Sequence, residues 1–129
     1  MTQLPDDARK LLDDANHVVV GTTNRDGSPH TSVLWATHDG DDLLLSTVEG
    51  RQKHKNWLRD PRVSVLVLDE NDPYSYIEVR GTLTMTRDGG PELINQLSQI
   101  YTGVDYTGDI GTDNVRLVVR VTPTRVHIR

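Results

Sequence analysis

Cationic side chains are concentrated in one short segment of the sequence, from Arg51 to Arg62. The segment holds five of the 14 lysines and arginines, although the chain as a whole has a net charge of −5. Such a local reversal of charge is typical of a site for an anion such as phosphate, for which arginine offers a planar fork and lysine a compact charge. The five residues are Arg51, Lys53, Lys55, Arg59 and Arg62.

The position of this segment is compatible with a phosphate site. It follows Gly50 at a predicted strand-to-helix junction, where the free backbone N–H groups of a helix start point toward an anion. Ser46 and Thr47 belong to the preceding strand and add hydroxyl donors. The alternative is a solvated basic helix face that balances the acidic turns, and the charge pattern alone favours neither interpretation.

Several other chemistries have little support in the sequence. The chain has no cysteine, which excludes disulfides, thiolate metal sites and cysteine nucleophiles. The five histidines have no metal-ligand spacing and the serines lack a nucleophile-elbow setting, so we predict neither a metal site nor a hydrolase triad. His30 and His54 lie near the expected pocket, where each could contact a ligand or pack.

Length and composition indicate one domain over residues 1–129. A chain of 129 residues can bury about two thirds of its unfolded surface. The net charge of −5 argues against nucleic-acid binding. No segment approaches the ~20 apolar residues that cross a bilayer, and the N-terminus lacks a signal-peptide pattern, so we expect a cytoplasmic protein without a membrane partner.

Hydrophobic periodicity predicts the elements that position the basic segment. The segment itself forms a short helix over 51–60, which ends before Pro61. The elements predicted before it are a helix over 5–16 and strands over 17–23, 31–38 and 43–47.

The pattern after the basic segment is mostly that of strands. Residues 63–68 are almost continuously apolar, which predicts a strand buried on both faces. Residues 74–87 alternate, with Gly81 as a predicted bulge. The remaining predicted elements are a helix over 91–101, a loop over 102–113 and a strand over 115–126. So few helices indicate a small closed or split antiparallel barrel rather than a parallel α/β fold.

Aromatic residues are few, and they have two possible roles. Trp35 and Trp57 are the only tryptophans, and phenylalanine is absent. Packing in the core or at a dimer interface is the ordinary role of such side chains. The alternative is that Trp35 or a tyrosine stacks on the ring of a ligand.

Four features of the sequence occur together in a characteristic order. They are Gly21-Thr22 with Asp26-Gly27-Ser28-Pro29, Leu45-Ser46-Thr47, Gly50-Arg51-Gln52-Lys53-His54-Lys55-Asn56 with Asp60-Pro61-Arg62-Val63, and Tyr76 to Gly81. In these features the chain resembles the flavin-binding split-barrel proteins, which include the pyridoxamine 5'-phosphate oxidases and the actinobacterial deazaflavin-dependent reductases. The resemblance implies a mainly β fold: a six- to seven-stranded antiparallel split β-barrel of the FMN-binding type with short flanking helices.

The same resemblance implies which residues bind the cofactor. The basic pair after the third strand, here Arg51 and Lys53, would hold the cofactor phosphate, and Lys55 is a further candidate. The resemblance also implies a homodimer with each cofactor site at the subunit interface. The residues expected to line the ring and the ribityl chain are Ser32, Val33, Ser46 and Thr47.

Two cofactors, the deazaflavin coenzyme F420 and FMN, are compatible with this resemblance because they share a ribityl phosphate. Arg51-Gln52-Lys53, the short chain and Asp60-Pro61-Arg62-Val63 are most similar to the deazaflavin branch, which favours F420 over FMN. The end of the chain, Val126-His127-Ile128-Arg129, lacks a convincing substrate-phosphate motif. This absence argues against pyridoxamine phosphate oxidation.

The resulting hypothesis is an oxidoreductase that uses F420 to transfer a hydride to a small conjugated organic acceptor. The protein would mainly position the reactants, and the sequence assigns no catalytic residue and no metal ligand. One alternative is an FMN-binding reductase or oxidase of the same fold. The other is a non-catalytic protein that carries or sequesters a flavin or deazaflavin cofactor.

Overall fold

The computed structural model describes residues 2–129, which form seven strands and three helices. The strands are β1 (Val18–Thr23), β2 (Pro29–Leu34), β3 (Ala36–Asp39), β4 (Asp42–Val48), β5 (Arg62–Leu68), β6 (Tyr76–Thr86) and β7 (Arg116–Ile128). The helices are α1 (Asp6–Asp13), α2 (Gln52–Arg59) and α3 (Gly90–Thr102).

All seven strands belong to one antiparallel sheet in the order β2-β1-β5-β6-β7-β4-β3. The two edge strands, β2 and β3, are consecutive in the chain and are separated only by Trp35. The sheet must therefore curl until its edges meet at this residue. The predicted mainly β split barrel is confirmed.

The core fills the inside of the curled sheet. Side chains alternate between the two faces of a strand, and Val18, Val20, Val65 and Val67 of β1 and β5 are fully buried. Trp57 of α2 packs against the same cluster. The core therefore anchors α2, and the residues predicted to bind phosphate, Arg51 and Lys53, lie at the start of this helix.

The predicted bulge at Gly81 is confirmed. The register of β6 against β7 shifts between Arg80 and Gly81. A side chain at position 81 would collide with the backbone carbonyl of Thr122, so the close approach of the two strands requires glycine.

The single strand predicted over 31–38 is wrong, because the structure has two strands there. The chain leaves its pairing with β1 at Leu34 and begins to pair with β4 at Ala36. The hydroxyl oxygen of Tyr101 accepts a hydrogen bond from the Ala36 N–H at 3.1 Å, which satisfies a donor at the corner. A single sequence stretch thus serves both edges of the barrel.

The prediction that residues 63–68 are buried on both faces is also wrong. Alternate residues of β5 are buried, and those between them are only half-buried. The curled sheet encloses one of its faces, so an apolar run is compatible with one-sided burial.

Candidate functional site

A cavity of about 390 Å³ lies between β2 and β4, which are not hydrogen-bonded to each other. Val33 of β2 and Thr47 of β4 line it, and Leu97 of α3 contributes an apolar surface. Arg51 and Lys53 line it at the start of α2. Its volume lies within the usual range of ligand pockets, roughly 300–1,000 Å³.

The turn before α2 places the basic pair at this cavity. Gly50 has a φ of 93°, a left-handed conformation that favours glycine, and it redirects the chain from β4 into the helix. The backbone N–H of Gly50 donates to His54 Nδ1 at 2.9 Å. Arg51 then occupies the N-cap position, with Lys53 in the first turn.

Arg51 and Lys53 have no anionic partner among residues 2–129, where every ion pair involves other side chains. Partial burial, and secondarily the positive charge of Arg51, lowers the pKa of Lys53 below its ordinary value of 10.5. An anion in the cavity would compensate both charges.

The cations at the end of the same segment are paired differently. Arg62 binds the Asp60 carboxylate through Nη2 at 2.7 Å and Nε at 2.9 Å. Arg59 Nη2 donates to the Thr23 carbonyl, which attaches α2 to the end of β1. These two arginines therefore have structural partners, unlike Arg51 and Lys53.

Thr47 provides a second sign of an absent partner. Its side chain is almost fully buried and lines the cavity, and its Oγ1 atom has no hydrogen-bond partner among the described residues. Buried hydroxyls are normally hydrogen-bonded, and an oxygen of a ligand in the cavity would satisfy this one.

Arg116 of β7 adds a buried cation that already has its partners. Its side chain is 8% exposed, and its Nε lies 2.7 Å from Asp109 Oδ2. The Arg116 hydrogen bond is the main cause of the lowered pKa of Asp109. Arg116 Nη2 also donates to the Tyr106 hydroxyl at 2.7 Å. The ion pair therefore holds the loop before β7 against the cavity.

An aromatic wall of Trp35, Tyr101 and Tyr106 lies beside β2, and two of its residues, Trp35 and Tyr106, line the cavity. Trp35 stacks on Tyr101, with ring centroids 5.5 Å apart, and meets Tyr106 edge to face at 6.5 Å. Tyr101 is fixed by its hydroxyl, which donates to the Asn16 carbonyl at 2.7 Å. The cavity can therefore accept an anionic group at the cations and a flat apolar group beside Trp35.

The structure brings five of the seven residues expected from sequence to this cavity and leaves two outside its lining. The five are Arg51, Lys53, Ser46, Thr47 and Val33. Ser32 is paired with Val20, a core residue of β1, and therefore faces the barrel interior rather than the cavity. Lys55 is exposed and follows Lys53 by two residues, about 200° around the helix.

The sequence interpretation missed Arg116, Tyr106 and His17, which also line the cavity. Arg116 lies 70 positions from its hydrogen-bond partner Ser46, so no local pattern could have joined them. The only available signal was the alternation of arginines with apolar residues along the last strand, which is typical of any half-exposed strand.

Two other functions are constrained by the described residues. Within residues 2–129, no group of three or more histidine, aspartate or glutamate side chains is placed to hold a metal ion. The same range contains no helix with the length and apolarity required to cross a membrane.

Comparisons with known proteins agree with this architecture. The sequence model of the pyridoxamine 5'-phosphate oxidase family matches residues 4–129. Among solved structures, the chain is similar to an F420 reductase, with 27% sequence identity and a TM-score of 0.83. That alignment covers 96% of this chain and 98% of the other.

Two further structures share the fold at lower identity. The conserved hypothetical protein Rv2991 from Mycobacterium tuberculosis is 23% identical, with a TM-score of 0.74 over 99% of this chain and 89% of that one. General Stress Protein 26 from Bacillus anthracis is 18% identical, with a TM-score of 0.69 over 95% and 91% of the two chains.

A comparison with curated proteins gives a match of a different kind. Over 91 residues, the chain is 24% identical to the isoleucine–tRNA ligase of Colwellia psychrerythraea. The matched region is 70% of this chain and 9% of the ligase, so the ligase's activity is not transferred to this chain.

Proposed function

Since the chain belongs to the pyridoxamine 5'-phosphate oxidase family, whose members are flavin- and deazaflavin-binding oxidoreductases, we propose that it uses coenzyme F420 to reduce a small conjugated organic acceptor. The similarity to an F420 reductase along 96% of the chain supports F420 over FMN. The Arg51-Gln52-Lys53 pattern supports the same choice.

The observation on which this proposal depends is the pair of cations at the cavity, Arg51 and Lys53, neither of which forms an ion pair within residues 2–129. Two adjacent positive charges, one of them partly buried, are unfavourable without an anion. The unpaired Thr47 Oγ1 lies in the lining of the same cavity. Two charges and one hydroxyl together match a phosphate, which accepts several hydrogen bonds and carries negative charge.

The residues present therefore fit a cofactor with a phosphate and a flat ring. Arg51, Lys53 and Thr47 would hold the phosphate, and Val33 and Trp35 would lie beside the ring. When bound in its reduced form, the deazaflavin supplies a hydride. This chain's residues contribute orientation and exclusion of water, and these effects account for much of the rate enhancement in such reactions.

The exposed side of the cavity supports a homodimer. Val33 lines the cavity yet is 64% exposed in the single chain. A second copy would cover such an apolar side chain and close the site at a two-fold interface. Sedimentation of the purified protein tests this, since a monomer at micromolar concentration would contradict it.

A fluorescence titration with F420 and, separately, with FMN tests the proposed cofactor. We expect low-micromolar or tighter binding of F420, weaker binding of FMN, and a loss of about 100-fold in F420 affinity in the Arg51→Ala/Lys53→Ala protein. Arg62→Gln is the matched control, because Arg62 belongs to the same segment but is already paired with Asp60.

The other outcomes separate the alternatives. Tighter binding of FMN would favour an FMN-dependent enzyme of the same fold. Binding of F420 without turnover of any acceptor would favour a carrier. Binding of neither cofactor would favour the alternative interpretation, in which Arg51 and Lys53 belong to a solvated basic helix face.

A further inference from the structure

His17 and Glu70 form a hydrogen-bonded pair at the edge of the cavity. His17 lines the cavity directly before β1, and its Nδ1 atom lies 2.7 Å from Glu70 Oε1. Asn16 helps to hold this arrangement, because its buried Oδ1 accepts a hydrogen bond from the Glu70 N–H at 2.9 Å. The amide of the Asn16 side chain donates in turn to the Leu11 carbonyl at 2.8 Å. One fixed corner thus positions both members of the pair.

The carboxylate determines which nitrogen of His17 remains for a ligand. Nδ1–H donates to Glu70, as in many sites where a carboxylate orients an imidazole. Nε2 is then the ring atom left for a molecule in the cavity. In the protonated imidazole, Nε2 also carries a hydrogen that it can give away.

The aromatic wall runs between His17 and Arg116, and both of these residues line the cavity. The imidazole lies 5.2 Å from the ring of Tyr101, which stacks on Trp35. Trp35 then meets the edge of Tyr106, and Tyr106 packs against the guanidinium of Arg116. A ligand that lies along this wall would therefore extend to His17.

We propose that His17 donates the proton that accompanies hydride transfer, an inference that rests on the proposed function. With an α,β-unsaturated ketone, a C–H bond of the reduced deazaflavin breaks and its hydride forms a new C–H bond at the β-carbon, which leaves the cofactor oxidised. The π electrons shift toward the carbonyl oxygen, and the resulting enolate takes the proton of Nε2 at its α-carbon. The C=C bond thereby becomes a single bond and the C=O bond is restored, and neutral His17 regains its proton from solvent.

The surroundings of His17 bear on any pH dependence. The imidazole is in contact with one carboxylate and one phenol, and it shares the cavity with three cations. These groups are Glu70, Tyr101, Arg51, Lys53 and Arg116.

A second histidine–carboxylate pair offers a matched control. His38 Nε2 lies 2.8 Å from Asp13 Oδ1, in an arrangement like that of His17 and Glu70. His38 is not among the residues that line the cavity. A general effect of removing an imidazole–carboxylate pair would appear equally in His17→Gln and His38→Gln.

Single-turnover reduction of cyclohex-2-en-1-one by the protein loaded with reduced F420 tests the proposal. We expect the rate to fall about 100-fold in His17→Gln, the lower end of the range for general acid catalysis, and to be unchanged in His38→Gln. The pH dependence of the wild-type rate should be altered in His17→Gln and retained in His38→Gln. Glu70→Gln should lower the rate less and leave the cofactor affinity unchanged.

Cofactor binding is measured on the same variants to separate the possible failures. An unchanged rate in His17→Gln, in protein that binds F420 normally, would overturn the proposal. If His17→Gln does not bind F420, the Glu70→Gln protein is used for the test instead. A rate and a pH profile of Glu70→Gln equal to those of wild type would overturn the proposal. A wild-type protein that binds F420 but reduces neither this enone nor any other conjugated acceptor would instead remove the proposed function, and this inference with it.

An NMR measurement that needs no turnover tests whether His17 lies beside the bound ligands. The ring resonances of His17 are assigned in the NMR spectrum by their absence in His17→Gln. Addition of oxidised F420 with the enone should shift these resonances and leave those of His38 unchanged. No shift at saturating F420 and enone would contradict a place for His17 beside the reacting groups.

Discussion

The two ends of the basic segment differ in how their charges are used. Arg59, at the end of α2, donates to a backbone carbonyl, and Arg62, the first residue of β5, is paired with Asp60. Arg51 and Lys53, at the start of α2, have no anionic partner among residues 2–129 and face a cavity. Similar residue types thus stabilise the fold in the second half of the segment, here called the paired half. In the first half they leave charge available for a ligand.

Charge reversal gives the largest test of this difference. Lys53→Glu should reduce affinity for F420 by more than about 100-fold, since a like charge replaces an attractive contact with the phosphate. Arg62→Glu, the same change in the paired half, should alter affinity by less than roughly threefold because that side chain is exposed. Fluorescence titration measures both, and equal losses would mean that the segment acts only through its overall charge.

Thr47 and Thr22 allow the same comparison between an unpaired and a paired group to be made with two buried hydroxyls. Thr47 Oγ1 has no partner in the described chain, whereas Thr22 Oγ1 accepts a hydrogen bond from Asn56 Nδ2 at 2.8 Å. Thr47→Val should weaken cofactor binding about tenfold and leave the free energy of unfolding unchanged or higher, because it removes an unsatisfied group.

Thr22→Val is the matched control for that prediction. It should reduce the free energy of unfolding by about 1 kcal/mol, since the buried Asn56 amide loses an acceptor, and should leave cofactor affinity unaltered. Urea unfolding and fluorescence titration measure the two quantities. A destabilised Thr47→Val protein with normal affinity would show that Thr47 is a packing residue.

Titration of Lys53 gives a smaller effect that also separates the two halves. Binding of an anion requires the charged lysine, so affinity should fall as the pH rises through the pKa of Lys53. Because partial burial and Arg51 lower that pKa, the fall should begin below the pH at which an ordinary lysine, with its pKa of 10.5, loses its charge. Lys53→Arg should bind without this fall, since arginine stays protonated. If the fall in affinity at high pH persists in Lys53→Arg, it must come from the titration of another group.

The sequence predicted the basic pair but not everything around it. Arg51 and Lys53 are local signals, because charge and a preceding glycine occur together in a few residues. Ser32 and Val33 show the limit, since adjacent residues of a strand face opposite sides and only Val33 lines the cavity.

The same reasoning explains which parts of the fold were predictable. Gly81 marked a bulge because only glycine fits so close to another strand. The break at Trp35 left no comparable signal, since both strands around it read as one β-like run and the switch of partner depends on closure of the whole sheet. His17 likewise belongs to the site only through contacts with Glu70 and Tyr101, which are distant in sequence.

The smallest expected effect comes from the paired half itself. Arg62 lowers the pKa of Asp60 from 3.8 to about 2, chiefly through its side-chain hydrogen bonds. A carboxyl group with a lowered pKa in the folded protein stabilises the fold above its unfolded pKa, and this contribution is lost as the pH falls through the folded value. Arg62→Gln should therefore be slightly less stable than wild type above pH 3.8, and the difference should disappear between pH 3.8 and about 2.

Urea unfolding across this pH interval measures the difference in the free energy of unfolding between Arg62→Gln and wild type. The F420 affinity of Arg62→Gln at neutral pH should stay within roughly twofold of wild type, because exposed ion pairs contribute little. A constant difference at all pH values would instead mean that Arg62 stabilises the fold through packing of its side chain and not through its charge.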